Sequence, residues 1–153
     1  LFYDEKFILL ADESQLDDLT RKLMRIGLDN IMGYISSTQV FTAKGGTLKK
    51  AKTLNYDDFK TALEDQNTQI IDLRGAAEYN AGHVKGAENI FVGTIMNNID
   101  KISKDKKVII HCQGGDRASI AYALLTKEGF ENIYNYSPGM NEWVQKGDEI
   151  VFS

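Results

Sequence analysis

The stretch "VIIHCQGGDRASIAYALL", Val108 to Leu125, holds the single cysteine of the 153-residue chain. It runs from an apolar strand-like segment, through Gly114-Gly115, into a helical pattern that continues to Glu128 and closes at Gly129. Cys112 sits at the junction. A cysteine at a strand end is ordinarily a small buried hydrophobe. A plain core position, however, has no need of a Gly-rich loop. Sharp turning from strand to helix requires residues that tolerate unusual backbone angles, which Gly114 and Gly115 supply. Successive backbone N–H groups of Gln113, Gly114, Gly115, Asp116 and Arg117 can then face inward as an anion-binding nest, with a helix N-terminus behind them. Such a cradle favours the thiolate, and Arg117, five residues after the cysteine, can return its guanidinium to the rim. These residues suit a sulfur nucleophile that attacks or carries a small anion.

Outward from this loop, strand-like and helical patterns alternate. Gln69–Leu73, Lys107–His111 and Asn132–Tyr136 read as strands. Helical patterns follow Asn55, Ala76, Ile95 and Met140. Strands alternating with helices predict an α/β fold with a parallel sheet. The N-terminal segment is a second copy of the same unit. "KFILLADESQLDDLTRKLMRIGLDNIMGY" parallels "KVIIHCQGGDRASIAYALLTKEGFENIYNY", with Gly27 over Gly129 and Tyr34 over Tyr136. At the cysteine position the first copy has Ala11, and its loop is acidic and one residue shorter. Residues 1–43 therefore read as the C-terminal half of a cysteine-less unit, 44–52 as a linker centred on Gly45-Gly46, and 53–153 as the intact domain.

With 42% hydrophobic and 26% charged residues the chain is globular, neither disordered nor membranous. No apolar run approaches the roughly 20 residues that span a bilayer. The net charge of −4 argues against nucleic acid as a partner. One cysteine excludes an intrachain disulfide, fits a cytoplasmic, reducing location, and obliges any thiol chemistry to use an external partner. Two histidines, His83 and His111, are too few for a His-rich metal centre, and no metal is assigned. Leu1-Phe2-Tyr3-Asp4-Glu5 lacks the pattern of a signal peptide, and a chain opening without Met on a strand-like run is expected to be a fragment. The unpaired sheet edge expected in residues 1–43 invites a homo-oligomer.

Cys112-Gln113-Gly114-Gly115-Asp116-Arg117 resembles the six-residue active loop of the rhodanese family, C-x-x-G-x-R. "IIDLRGAAEYNAGHVKGAENI" is similar to that family's upstream hallmark, and Pro138-Gly139 with Trp143 to its closing segment. The resemblance implies a central five-stranded, mostly parallel sheet flanked by helices. It implies a sulfurtransferase in which Cys112 takes a sulfane sulfur from a donor and passes it to a thiol acceptor. Residues Gln113 to Arg117 would bind the donor, and no cofactor is needed in this chain. Phosphatases related by fold use a loop one residue longer, so the short loop here disfavours a thiol phosphatase or arsenate reductase. Gln113 stands where many thiosulfate-using members have a basic residue, and Asp116 adds negative charge, so a low-molecular-weight thiol persulfide rivals thiosulfate as donor. A cysteine-less copy before an intact one also resembles the C-terminal part of bacterial metallo-β-lactamase-fold persulfide dioxygenases fused to rhodanese domains. That likeness implies a non-haem iron site elsewhere in a longer protein and a role in sulfide detoxification.

Around the loop, Asp72 and Arg74 are expected to form an ion pair that braces it, and Ser119, in the first turn of the helix, to hydrogen-bond it. His83 reads as a structural residue, and strand alternation points His111 away from Cys112. The rival to catalysis is an interaction module that keeps the fold and uses the loop as a binding surface.

Overall fold

The computed structural model describes residues 4–153, which fall into two compact units, one ending at Lys50 and the other spanning Ala51–Ser153. Leu1–Tyr3, part of the segment read for a leader and for the half-unit, lie outside the described residues.

In the first unit, β1 (Phe7–Leu10), a 3-10 turn (Glu13–Gln15), α1 (Leu16–Arg25) and β2 (Ile31–Ile35) repeat the strand–helix–strand order expected from the internal likeness. β1 and β2 pair in parallel. Gly27, after α1, adopts a left-handed φ of 80° just as Gly129 does at 85°. The copies differ in register. Phe7 faces Ile31, but Leu9 faces Tyr34, so the ladder slips where Gly33, with φ of 148°, stands opposite. A further helix, α2 (Thr38–Ala43), ends this segment; Ser37 caps it, accepting the Val40 N–H at 3.2 Å. Neither helix buries a residue, and Ile8, Leu10, Met24, Ile26 and Met32 are exposed. Two strands and two helices leave the parallel pair, whose side chains alternate between its faces, incompletely covered.

The second unit covers both faces. Its elements are α3 (Tyr56–Ala62), β3 (Thr68–Asp72), α4 (Ala76–Asn80), β4 (His83–Val84), β5 (Glu88–Asn89), a 3-10 segment (Val92–Lys101), β6 (Lys107–His111), α5 (Asp116–Lys127), β7 (Ile133–Tyr136), α6 (Gly139–Gln145) and β8 (Ile150–Val151). The main sheet has the order β5-β3-β6-β7, and every pairing in it is parallel. Four strands run where the resemblance implies five. The fifth is reduced to one bridging residue, Thr53 against Asn135, flanked by Asn135 N–H to Lys52 O at 2.8 Å and Leu54 N–H to Asn135 O at 3.0 Å. β4 and β8 form a separate antiparallel pair.

Alternation along the central strands explains their unbroken apolar runs. Ile71, Ile110 and Ile133 join Ile95 and the Ala118, Ala121 and Leu125 face of α5. Ile70, Ile109 and Tyr136 meet Phe59 of α3 and Met140 and Trp143 of α6. Phe59 stacks on Tyr136 with ring centroids 4.1 Å apart and meets Trp143 edge-on. β3 and β6 thus end side by side in the middle of the sheet, and both lead into loops that carry charged side chains.

His111, the last residue of β6, is fully buried against Phe59, 5.8 Å between rings. Burial holds its ring below the ordinary 6.5, against the opposing pull of Asp72. The unfolded chain therefore takes up a proton near pH 6.5 that the folded protein refuses. Stability is full above that pH and falls as pH drops below it, by at most about 1.4 kcal/mol per pH unit. His111→Phe is expected to flatten this acid limb, which urea midpoints at pH 5 and pH 7.5 will read. An unchanged slope in the variant would remove His111 as its source.

Candidate active site

Cys112 opens the loop that joins β6 to α5, and its side chain lies with Ile110 and Ala118 on the α5 side of the sheet, 1% exposed. Gly115, the last loop residue, has φ of 101°, and its N–H donates to the Cys112 sulfur at 3.1 Å. Three of the loop's carbonyls are bound elsewhere. Cys112 O accepts from Met140 N–H and Gln113 O from Asn141 N–H, both at 3.0 Å. Gly115 O accepts from Ser119 N–H at 2.8 Å and from Ser119 Oγ at 2.9 Å. No peptide bond is cis, so each N–H points opposite to the carbonyl of its own peptide plane. The N–H groups of Gln113, Gly114 and Asp116 are thereby turned away from α6 and from the first turn of α5. That arrangement is a cradle in which one amide already reaches sulfur.

Close approach makes the cradle. Gly139, at the start of α6, has φ of 58°, and a Cβ there would fall on the Cys112 carbonyl. A Cβ on Gly115 would lie 2.8 Å from Ser137 O, and one on Gly114 2.9 Å from Asn141 Nδ2. Real Cβ atoms are not found so close; Gly115 and Gly139 meet backbone and must be glycine, whereas Gly114 meets only the end of the Asn141 side chain.

Every residue expected at the site is brought together. Asp72 and Arg74 form a buried pair, 0% and 4% exposed. Arg74 Nη2 meets Asp72 Oδ2 at 2.7 Å and Gly82 O at 2.8 Å, and Nε lies 3.0 Å from both carboxylate oxygens. The remaining nitrogen, Nη1, reaches Gln113 Oε1 at 3.4 Å. Gln113 Nε2 in turn donates to Asn141 Oδ1 at 2.6 Å, so the residue after the cysteine is held from both sides. Ser119 Oγ also accepts from Asn135 Nδ2 at 3.4 Å. Asp116 is exposed at the first position of α5, where a carboxylate complements the helix dipole. His83 is structural in its contacts: Nδ1 lies 2.9 Å from Tyr79 O, and the ring stacks on Tyr79 at 3.6 Å.

Arg117 lies at the rim but is engaged. Its Nη1 and Nη2 meet Glu78 Oε2 and Oε1 at 2.6 and 2.9 Å, a two-pronged pair. The guanidinium holds the Glu78 carboxyl near a pKa of about 2, helped by the Gly75 N–H that donates to it at 3.1 Å. Glu78 most of all, with a smaller contribution from the Cys112 sulfur, raises the Arg117 pKa above its ordinary value. Sequence reading missed this pairing and the contacts of Gly139 and Asn141 with the loop. Glu78, three residues into α4, accepts the Gly75 N–H as a helix-capping acid does, but nothing local signals a partner 39 residues away.

Among the described residues, no three His, Cys, Asp or Glu side chains gather as a metal ion would require, and no helix is long and apolar enough to cross a membrane.

The family profile described as Rhodanese-like domain matches residues 55–146. The putative sulfur carrier protein YrkF of Bacillus subtilis is 27% identical over 112 residues, 69% of this chain and 60% of that protein. The tRNA uridine(34) hydroxylase of Staphylococcus carnosus is 34% identical over 95 residues, 58% of this chain and 30% of that protein. The chain thus spans less than two thirds of the length of either relative. A crystal structure of a rhodanese-like domain protein from Staphylococcus aureus superposes with a TM-score of 0.60 at 30% identity, covering 67% of this chain and 98% of that one.

Proposed function

The chain belongs to the rhodanese-like domain family, and from that premise we propose that it is a sulfurtransferase with Cys112 as nucleophile and sulfur carrier. The observation that carries the proposal is the Gly115 N–H aimed at the sulfur inside a loop whose Cys112, Gln113 and Gly115 carbonyls are bound outside the cradle. The Cys112 thiolate attacks the outer sulfur of a donor, R–S–S⁻ or thiosulfate. The donor's S–S bond breaks, and its electron pair leaves with RS⁻ or sulfite. Cys112 is then a persulfide, whose terminal sulfur carries the negative charge that inward N–H groups stabilise. A thiolate acceptor attacks that terminal sulfur, and the Cys112 thiolate leaves with the bonding pair. No oxidant or cofactor enters either step. A place beside a persulfide-oxidising iron domain rests on the cysteine-less copy alone, and sulfur transfer does not depend on it.

The experiment is intact mass after exposure to thiosulfate and, separately, to a small-thiol persulfide. One added sulfur, removed by a thiol and absent from Cys112→Ser, is the expected result. A second reading, a binding module that keeps the fold without chemistry, is favoured by the near-complete burial of Cys112. Folded protein that takes up no sulfur from either donor would establish that reading instead.

A further inference from the structure

We propose that Glu78 sets donor preference: by occupying both arms of Arg117 it biases the site against dianionic donors and toward singly charged persulfides of small thiols. The inference rests on the sulfur-transfer reading above and goes beyond it to substrate class.

The argument is one of charge and geometry. Thiosulfate presents three sulfonate oxygens and two negative charges, and a guanidinium fork is the group at this rim that could match them. Both prongs of that fork are taken by the Glu78 carboxylate at 2.6 and 2.9 Å. The carboxylate is no swinging surface group, because the Gly75 N–H fixes Oε2 from the other side. The second cation, Arg74, is spent on Asp72 in the buried pair. Asp116 is exposed at the loop's end with its own negative charge. Among the described residues of the loop and rim, two cations face three carboxylates, so a dianion gains no unmatched positive charge on entry. A persulfide needs only the backbone cradle for its sulfur. Because the Arg117 and Glu78 side chains are 29% and 43% exposed, an incoming anion can compete for Arg117. The pairing therefore sets a preference among donors, leaving thiosulfate disfavoured but not barred.

Glu78→Gln removes the charge yet keeps an oxygen for the Gly75 N–H. In the full chain, the rate of Cys112 persulfide formation is followed by mass with thiosulfate and with cysteine persulfide. The expected result is a rise of at least about tenfold in the kcat/KM ratio of thiosulfate to persulfide, equivalent to about 1.4 kcal/mol. The same gain should vanish when Arg117→Gln is added. Inorganic sulfate should also protect Cys112 from alkylation at roughly tenfold lower concentration in Glu78→Gln than in the parent. A ratio unchanged within twofold while both donors load Cys112 would overturn the donor assignment and leave sulfur transfer standing. A gain that persists without Arg117 would overturn it equally. Loading by neither donor in any form of the protein would instead remove the sulfur-transfer reading, and the assignment with it.

Discussion

Gly139→Ala is expected to cost the protein its sulfur loading and much of its stability. Two effects act at one atom. A left-handed φ of 58° is unfavourable for any residue with a Cβ, by about 1–2 kcal/mol. The new methyl would also fall on the Cys112 carbonyl oxygen, and neither a Cβ nor a backbone oxygen can move aside by changing a rotamer. Overpacking of this kind costs about 1–3 kcal/mol more. Relief comes only by parting α6 from the loop. That breaks the bonds from Met140 and Asn141 to the carbonyls of Cys112 and Gln113. Those carbonyls hold the Gln113 and Gly114 N–H groups in place, so the cradle is lost with them. A displacement near 1 Å at such a site lowers rates by roughly 100-fold. Persulfide formation should fall by at least that much, and Tm by about 10 °C or more. Gly129→Ala is the control. Its φ of 85° carries the same backbone cost, but nothing lies within 4 Å of a Cβ there. It should lose about 1–2 kcal/mol of stability and keep its loading rate. Equal behaviour of the two variants would show that the loop does not depend on close packing against α6.

These glycines mark the limit of what the chain declares about itself. Gly114-Gly115 is legible as a turn because both residues are glycine beside a strand and a helix, yet only Gly115 uses a left-handed angle. Gly139 is required by the Cys112 carbonyl that lies against it, a property of tertiary packing that no local pattern encodes. The central strands were legible because both their faces are buried, giving continuous apolar runs. β4 and β8 were not, since two residues make no period. The fifth strand, implied by resemblance, shrinks to Thr53 because only its neighbours Lys52 and Leu54 exchange backbone hydrogen bonds with Asn135. The slip in β1 depends on a ladder, and a ladder is a relation between segments. Charge was legible as to type but not pairing. Arg117 could be placed at the rim from its spacing, whereas Glu78 reaches it from α4 across a distance in sequence that spacing cannot see.

Asp72→Asn tests the other buried support of the loop, and the expected loss is large. Asp72 and Arg74 lie almost wholly out of water, so the variant leaves a buried guanidinium facing a neutral amide. Breaking a buried pair from one side costs about 3–5 kcal/mol. Domains of this size are stable by only about 5–15 kcal/mol, so a drop in Tm of at least about 10 °C is expected, read by thermal or urea unfolding. Removing both charges together should cost less than removing one. Asp72→Leu with Arg74→Met exchanges two desolvated ions for apolar volume, a change that is often close to neutral. The backbone N–H at position 74 loses its Asp72 Oδ1 acceptor, which adds about 1 kcal/mol. Stability should therefore recover most of the way while sulfur loading should not, because Gln113 keeps Asn141 but loses Arg74 Nη1. Recovery of both in the double variant would make the pair a matter of folding alone. Recovery of stability without loading would mean that the charge is buried to aim the residue after the nucleophile, at a cost in stability that hydrophobic side chains would have avoided.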